Sequence, residues 1–305
     1  MKMEKEFTPI ALFTYARQLH VRKTVEALLR NPEAEQHDLI VFSDAARSQE
    51  DEVAVKEVRS YLSTIKGFRS VTIYHRAYNF GLAKSIIEGV TEILENHDSV
   101  IVLEDDIVTS PYFLTYMNDA LKRFKNDDRV ISIHGYVYPT KEKLPEAFFM
   151  KGADCWGWAT WKRGWDFFNP NGEMLIKELE RRGLIKEFDF NGAYSFSKML
   201  RNQIQGKNDS WAVRWHASAF LAGKLTLYPG RSLVHNIGND STGSHCGSSS
   251  IWDVSLSSTP VDLFDCEVIA SDLGYKAFER YFWAATSFKS RLFDKVRLAF
   301  VKRKK

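Results

Sequence analysis

The amino-acid sequence predicts an α/β fold: a single domain in which helices cover both faces of a mostly parallel, twisted central sheet. Two observations predict it. Between residues 9 and 134, short apolar runs alternate with amphipathic segments of ten or more residues, which is the pattern of β-α-β units. Some of these runs are apolar throughout, as expected of strands that are buried on both faces. A chain of 305 residues is also long enough for one large domain with a substantial core.

The elements of the first half follow one another in strict alternation. The expected strands cover residues 9–15, 38–42, 70–75, 99–103 and 130–134. The expected helices cover residues 21–29, 50–66, 82–94 and 111–124. Pro32 and Gly67 follow the first two helices, as residues that stop helices often do. From about residue 135 the pattern becomes irregular, with one further strand expected at 225–228, so the second half is predicted to be rich in loops.

Composition and charge exclude several classes of protein. Hydrophobic residues make up 44% of the chain and charged residues 27%, as in ordinary soluble globular proteins. The net charge of +3 gives no reason to expect a nucleic-acid partner. Three cysteines without metal-type spacing, together with an N-terminus that lacks an apolar leader, favour a cytoplasmic protein. No apolar run reaches the length that spans a membrane.

The most informative local feature is the run 100–106, in which an apolar strand ends in Glu104, Asp105 and Asp106. Open α/β sheets bind their ligands at the carboxyl ends of the strands. Three adjacent carboxylates repel one another, so one of them would protonate unless a cation lay among them. A Mg²⁺ or Mn²⁺ ion that also binds phosphate oxygens fits this position, although an acidic surface loop would show the same residues.

Other polar residues also follow the ends of predicted strands in this half. Arg17 lies after the first strand at a helix start, where a phosphate or nucleotide could bind. Asp44 follows the second strand, where it could accept a hydrogen bond from a base or a ribose, and Asn79 leads into the third helix. The alternatives are a solvated cation at Arg17, a turn former at Asp44 and a tight turn at Asn79. Their shared placement favours a binding site.

Two common nucleotide-binding motifs are absent from the sequence. No G-x-G-x-x-G follows a predicted strand and no G-x-x-x-x-G-K-S/T occurs, so neither a Rossmann dinucleotide site nor a P-loop is expected. Sugar-nucleotide pyrophosphorylases carry a glycine-rich loop after their first strand. Here that position has no glycine and reads Thr14-Tyr15-Ala16-Arg17-Gln18.

Taken in order, Arg17, Asp44 and the segment 101–113 resemble a GT-A glycosyltransferase, most closely N-acetylglucosaminyltransferase I and its bacterial family-2-like relatives. The resemblance extends from about residue 9 to residue 245. It implies a metal-dependent, inverting glycosyltransferase. Such an enzyme moves a sugar from a nucleotide sugar, with UDP as the first expectation, to a hydroxyl group of a glycan or glycolipid acceptor in cell-surface polysaccharide synthesis.

The resemblance also implies a role for each candidate site residue in the first half. Asp106 is expected to bind Mn²⁺ or Mg²⁺, while Asp105 faces the ribose and Glu104 the donor sugar. Arg17 is expected near the uracil and the phosphates, and Asp44 at the base. Together with Asn79, these residues form the expected nucleotide-sugar site.

In the second half, the segment 151–161 resembles the glycine- and aromatic-rich segment that in this family lines the donor sugar and the acceptor entrance. Gly157 and Trp158 are therefore candidates for donor binding, because an aromatic face packs well against sugar C–H groups. The alternative is that the tryptophans of this segment belong to the core.

Asp209 lies where the family has its catalytic base, just before a tryptophan. Inverting transfer needs a carboxylate that takes the proton of the acceptor hydroxyl. The alternative for Asp209 is a helix cap in the sequence Asp209-Ser210-Trp211, and Asp154 is the second candidate base. His245 lies in a Gly- and Ser-rich segment that could close over a diphosphate, so we expect it, ahead of His235, as a further metal ligand.

These assignments divide the chain into a glycosyltransferase domain at 1–275, with a nucleotide-binding half at 9–134 and an acceptor and catalytic half at 135–250. Residues 276–305 are expected to form a basic amphipathic helix, a pattern typical of membrane-surface binding. The expected location is therefore cytoplasmic, with peripheral contact at the inner face of the plasma membrane. A helix docked on the domain with a solvated basic end is the alternative.

Two other functions remain open. A sugar-phosphate nucleotidyltransferase would release pyrophosphate from a nucleoside triphosphate, and a non-catalytic carbohydrate-binding module would need neither a metal nor a nucleotide.

Overall fold

A computed structural model describes residues 7–240 and 250–286, and its architecture confirms the predicted α/β fold. The strands are β1 (Ile10–Thr14), β2 (Asp38–Ser43), β3 (Ser70–His75), β4 (Ser99–Glu104), β5 (Ile107–Thr109), β6 (Val130–His134), β7 (Ala147–Lys151), β8 (Trp158–Trp161), β9 (Leu225–Pro229) and β10 (Val234–Asn236). The helices are α1 (Gln18–Leu28), α2 (Glu52–Leu62), α3 (Leu82–Asn96), α4 (Phe113–Arg123), α5 (Lys162–Trp165), α6 (Gly172–Arg181), α7 (Ile185–Phe188), α8 (Phe196–Ile204), α9 (Trp211–Leu221) and α10 (Asp272–Thr286).

Eight strands form the central sheet in the order β3-β2-β1-β4-β8-β6-β9-β7. The first four of these pair in parallel, so their carboxyl ends lie along one edge. Strand β8 is antiparallel to both β4 and β6, β9 is parallel to β6, and β7 is antiparallel to β9. The sheet is therefore mostly parallel, and both antiparallel strands come from the half of the chain whose pattern is irregular.

Two apolar clusters cover the two faces of the sheet. Within β1, Ile10 and Leu12 pack with residues of α1, α2 and α4, whereas Ala11 and Phe13 pack with residues of α3 and α9. This division follows from the two-residue repeat of a strand, which sends alternate side chains to opposite faces. Because both faces are covered, the strand has no polar side and its sequence is apolar throughout.

A two-stranded antiparallel ribbon, β5–β10, lies directly after the acidic run. It pairs Val234 with Thr109 and Asn236 with Ile107. Past the ribbon, the backbone N–H of Ile237 donates to the carbonyl oxygen of Asp106 at 2.9 Å. The ribbon thus attaches a segment of the second half to the turn that carries the acids.

The expected basic helix at 276–305 falls only partly within the described residues. Helix α10 is described as far as Thr286, and residues 287–305, with most of the basic side chains, lie outside the described part of the chain. Within the described part, no helix is both long enough and apolar enough to span a membrane.

Candidate active site

The three acids lie where β4 reaches the carboxyl edge of the sheet. Glu104 is the last residue of β4, and Asp105 and Asp106 form the turn into β5. Arg17, which immediately precedes α1, donates from Nη2 to Asp105 Oδ1 and, at 2.7 Å, to Asp106 Oδ2. The backbone carbonyl of Asp105 also accepts from Thr24 Oγ1 of α1 at 2.8 Å. A guanidinium therefore supplies the positive charge that three adjacent carboxylates require.

Burial dominates the electrostatics of this cluster. It raises the pKa of Glu104 to about 8, and the charges of Asp106 and Asp105 add to the effect. Burial also raises the pKa of Asp105 to about 6, against the opposing influence of Arg17. Since the charged form of a buried carboxyl is disfavoured, Glu104 holds its proton at neutral pH while Arg17 neutralises its neighbours.

Two buried polar atoms of the cluster lack hydrogen-bond partners among the described residues. One is Asp106 Oδ1 and the other is Arg17 Nη1. The described residues contain no group of three His, Cys, Asp or Glu side chains arranged to hold a metal ion. The carboxylate oxygen could hold a divalent cation that takes its other ligands from a diphosphate, as Mg²⁺ commonly does, and the guanidinium N–H could donate to a phosphate oxygen.

Gly238 lies against the same two side chains. A Cβ atom at this position would lie 2.1 Å from Asp106 Oδ2 and 3.0 Å from Arg17 Nη1. Only glycine therefore allows the chain after β10 to pass this close to the acids.

Asp44 and Asn79 lie together beyond the end of β2. Asp44 Oδ1 accepts from the backbone N–H groups of Ala45 and Phe80 at 2.9 and 2.8 Å. Asp44 Oδ2 accepts from Asn79 Nδ2 and the backbone N–H of Gly81 at 3.1 and 2.9 Å. A carboxylate has about four acceptor positions, so these bonds occupy Asp44 fully. These hydrogen bonds fix the turn that leads into α3.

Trp158 lies in the core, which is the alternative that the sequence left open. It is 1% exposed, its ring stacks on Trp211 at a centroid distance of 5.4 Å, and Trp165 lies 5.8 Å away. Gly157 has φ +60°, and a Cβ there would lie 2.7 Å from a methyl group of Val234. A sugar ring cannot stack on Trp158 in this arrangement, so the pair supports the site through packing.

Asp209 is exposed at the start of α9. Its side chain is 63% exposed, and Oδ1 lies 3.4 Å from Arg214 Nη2. The cap of α9 is its neighbour Ser210, whose Oγ accepts from the backbone N–H of Val213 at 3.2 Å. The predicted helix cap thus exists, but the side chain that makes it is Ser210.

Asp154, in the loop between β7 and β8, has a more enclosed environment. Its Oδ2 accepts from the hydroxyl groups of Tyr138 and Tyr228 at 3.1 and 3.4 Å, and its Oδ1 accepts from the backbone N–H of Cys155 at 2.9 Å. Burial raises the pKa of the Cys155 thiol well above its usual range, and the charges of Asp154, Glu104 and Asp106 contribute. Cys155 is therefore within electrostatic range of both Asp154 and the acidic run.

The sequence did not single out His134, Tyr138 or Tyr228. His134 is the last residue of β6, and its Nδ1 lies 3.9 Å from Asp154 Oδ2. The criterion that selected Arg17 and Asp44, a polar residue at the carboxyl end of an expected strand, also applies to His134. The same criterion applies to Tyr228, the last residue of the strand expected at 225–228, whereas no comparable signal marks Tyr138. That both tyrosines reach Asp154 depends on how β6, β9 and the loop at 154 pack.

Of the two histidines considered as metal ligands, one lies within the described residues. His245 lies outside the described residues. His235 is in β10, where it pairs with Val108, and its Nδ1 accepts from the backbone N–H of Val254 at 3.4 Å.

Comparison with known proteins gives one family match. The chain matches the GNT-I family over residues 1–170. Among solved structures, it is similar to a mannosyltransferase from Pyrobaculum calidifontis in complex with GDP-Man and Mn²⁺, with 12% identity and a TM-score of 0.37. That similarity covers 59% of this chain and 48% of the mannosyltransferase, so the chain spans about half of that protein. No curated protein matches the chain.

Proposed function

Because the chain belongs to the GNT-I family of glycosyltransferases, we propose that it is a metal-dependent, inverting enzyme that transfers a sugar from a UDP-linked donor to an acceptor hydroxyl group. One observation carries this proposal: Arg17, Asp105 and Asp106 meet at the carboxyl end of β4. Asp106 Oδ1 and Arg17 Nη1 are both left without partners among the described residues.

The donor site is proposed to use these two free groups. Asp106 would hold Mn²⁺ or Mg²⁺, and Arg17 would turn from the acids toward the diphosphate. Asp105 and Glu104 would then face the ribose and the donor sugar. Asp44 and Asn79 would shape the turn beside the uracil. The cation supplies positive charge to the departing diphosphate, which stabilises the charge that develops during transfer.

In the proposed transfer, the acceptor oxygen forms a bond to the anomeric carbon of the sugar. The bond from that carbon to the diphosphate oxygen breaks on the opposite face, and its electron pair leaves with UDP. A carboxylate removes the proton of the acceptor hydroxyl. The configuration at the anomeric carbon is inverted because attack and departure occur on opposite faces.

We propose Asp154 as this carboxylate, with Asp209 as the second candidate. Asp154 is supported by Cys155, the adjacent residue, which interacts electrostatically with Glu104 and Asp106. Asp209 is more exposed and lies beside Arg214. An Asp that is enclosed near the donor site is better placed to meet an acceptor than one that faces solvent.

The acceptor is proposed to be a glycan or a lipid-linked sugar. For a lipid-linked acceptor, the sequence offers basic residues at 302–305, which would favour contact with anionic lipid at a cytoplasmic membrane face.

The test is a panel of UDP- and GDP-linked sugars, incubated with the full chain and Mn²⁺, Mg²⁺ or EDTA, in which released nucleoside diphosphate is measured. Slow donor hydrolysis requires no knowledge of the acceptor. We expect UDP release from at least one UDP-sugar and its loss with EDTA. Pyrophosphate release from a nucleoside triphosphate and a sugar phosphate would favour a nucleotidyltransferase, and unchanged thermal unfolding with UDP and Mn²⁺ would favour a carbohydrate-binding module.

A further inference from the structure

We propose that Tyr138 and Tyr228 are positioning residues that hold one oxygen of Asp154, so that the other oxygen is the one that takes the acceptor proton. This inference rests on the proposed role of Asp154 as the base. The two hydroxyl groups converge on the same atom, Oδ2, at 3.1 and 3.4 Å. Hydrogen bonds to a charged acceptor are stronger than those between neutral groups, so this pair fixes the carboxylate in one rotamer.

The two tyrosines reach Asp154 from separate parts of the fold. Tyr228 belongs to β9, and Tyr138 lies four residues beyond the end of β6. Asp154 itself lies between β7 and β8. Because three unconnected segments meet at one carboxylate, the arrangement depends on the packed sheet and is not a local turn.

Aromatic packing holds both hydroxyl groups in place. The ring of Tyr138 contacts Phe278 and Phe282 of α10 edge to face, each at a centroid distance of 4.8 Å. Tyr228 stacks on Phe148 at 5.8 Å. Side chains whose rotamers are fixed by packing can orient a reacting group without a further loss of entropy when the substrate binds.

A buried histidine completes the surroundings of Oδ2. Nε2 of His134 accepts from the backbone N–H of Trp156 at 3.0 Å, and burial lowers the pKa of His134. The ring is therefore neutral with its proton on Nδ1, the nitrogen that lies 3.9 Å from Asp154 Oδ2. The side-chain donors within hydrogen-bond distance of Oδ2 are the two tyrosine hydroxyl groups, and the Nδ1–H of His134 lies just beyond that distance.

Among the described residues, the other oxygen, Oδ1, accepts from the backbone N–H of Cys155, and the Cys155 thiol also interacts with this carboxylate. Oδ1 keeps lone-pair capacity for an incoming hydroxyl. The side chain of Asp154 is 22% exposed, so a substrate can reach the carboxylate. We infer that the acceptor hydroxyl donates its proton to Oδ1 while the tyrosines hold Oδ2.

The experiment compares Tyr138→Phe, Tyr228→Phe and the double variant, each of which removes only hydroxyl groups. Tyr136→Phe is the matched control, because Tyr136 lies in the same aromatic cluster but donates to the carbonyl oxygen of Trp252. The assay is hydrolysis of whichever nucleotide sugar of the panel is cleaved fastest, with water as the acceptor. We expect kcat to fall roughly ten-fold in each single variant and further in the double variant. The donor KM and the binding of UDP with Mn²⁺ are expected to stay unchanged.

Azide provides a second readout, since this anion attacks carbon without giving up a proton. With azide as the acceptor, the tyrosine variants are expected to form glycosyl azide as fast as the unchanged protein. Equal losses with water and azide, or a kcat loss in Tyr136→Phe as large as in the other two, would overturn the positioning role. If Asp154→Asn itself keeps the water reaction, the proposed base is wrong. If Asp154→Asn alone loses the reaction with water and the tyrosine variants keep it, Asp154 is the base and the tyrosines do not position it.

Discussion

Arg17 and Asp106 meet across two strand ends, with Nη2 of the arginine 2.7 Å from Oδ2 of the aspartate. The same nitrogen also contacts Asp105. The guanidinium thus lies where the proposed cation and diphosphate would bind, and it competes with the cation for the carboxylate. Donor binding is therefore expected to be an exchange of partners, in which Arg17 passes from carboxylates to phosphate oxygens.

We expect Asp106→Ala to abolish Mn²⁺-dependent binding of UDP. Without this carboxylate the cation loses its anchor, and without the cation the diphosphate faces the negative charge of Asp105. Isothermal titration of UDP with and without Mn²⁺ measures the effect. Asp166→Ala is the control, because Asp166 is exposed and, among the described residues, its ion-pair partner is Lys162 in the same helical segment. Retained affinity in Asp106→Ala would move the metal site elsewhere.

Arg17→Ala is expected to destabilise the protein in the absence of metal. The variant leaves Asp105 and Asp106 buried without their positive partner, and breaking one side of a buried ion pair typically costs about 3 kcal/mol. Thermal unfolding in EDTA is expected to show a lower Tm, and Mn²⁺ is expected to restore part of the loss. Arg47→Ala serves as the exposed control. Equal Tm values for the two variants in EDTA would contradict the role assigned to Arg17.

The raised pKa of Glu104 predicts how stability depends on pH. Its folded-state value is about 8 against an ordinary 4.5, so between these values the folded protein keeps a proton that the unfolded chain has released. Metal-free stability is therefore expected to fall as pH rises through this window.

Glu104→Gln isolates this contribution, because glutamine cannot ionise. The variant is expected to match the unchanged protein near pH 4.5 and to exceed its unfolding free energy at pH 8 by roughly 2 kcal/mol or more, since each pKa unit corresponds to about 1.4 kcal/mol. Urea unfolding in EDTA at both pH values measures the difference. A variant less stable at pH 8 would show that Glu104 is charged and paired.

The two candidate bases are separated by matched Asp→Asn substitutions. We expect Asp154→Asn to lower turnover roughly 10²–10⁴-fold, the range that general-base catalysis supplies, while UDP and Mn²⁺ still bind. Asp209→Asn is expected to keep near-normal turnover and stability, because Asp209 is exposed and the cap of α9 is Ser210. The reverse result would assign the base to Asp209.

The sequence predicts the first half of the fold closely, because its strands are short, mostly apolar or β-branched segments separated by amphipathic helices. The expected strands at 70–75 and 130–134 coincide with β3 and β6. It does not predict β8, whose four residues include two tryptophans and follow a glycine. Trp158 in this strand is in the core because Trp165 of α5 and Trp211 of α9 pack against it. Contacts between residues so distant in sequence leave no local pattern.

The candidate site divides in the same way. Arg17 and the acids could be predicted together because β1 and β4 are parallel neighbours, so residues just past their ends must meet. The surroundings of Asp154 could not, since the contacts of Tyr138 and Tyr228 depend on how β6, β9 and the loop at residue 154 pack together, although both strands are expected. The hydrogen bonds that occupy the carboxylate of Asp44 could not be predicted either, because they depend on the exact conformation of the turn at Asn79.

The β5–β10 ribbon also bears on the order in which the protein matures. It joins residues 107–109 to residues 234–236, a pairing of high sequence separation, and such pairings are slow to form because a long loop must close. During synthesis, β1 to β4 can assemble while the segment that covers Asp106 is still unmade. A fragment limited to the family-matching residues 1–170 would carry every acid of the run and yet lack Gly238. The candidate site is thus complete only after residue 238 has been synthesised, when most of the chain has left the ribosome.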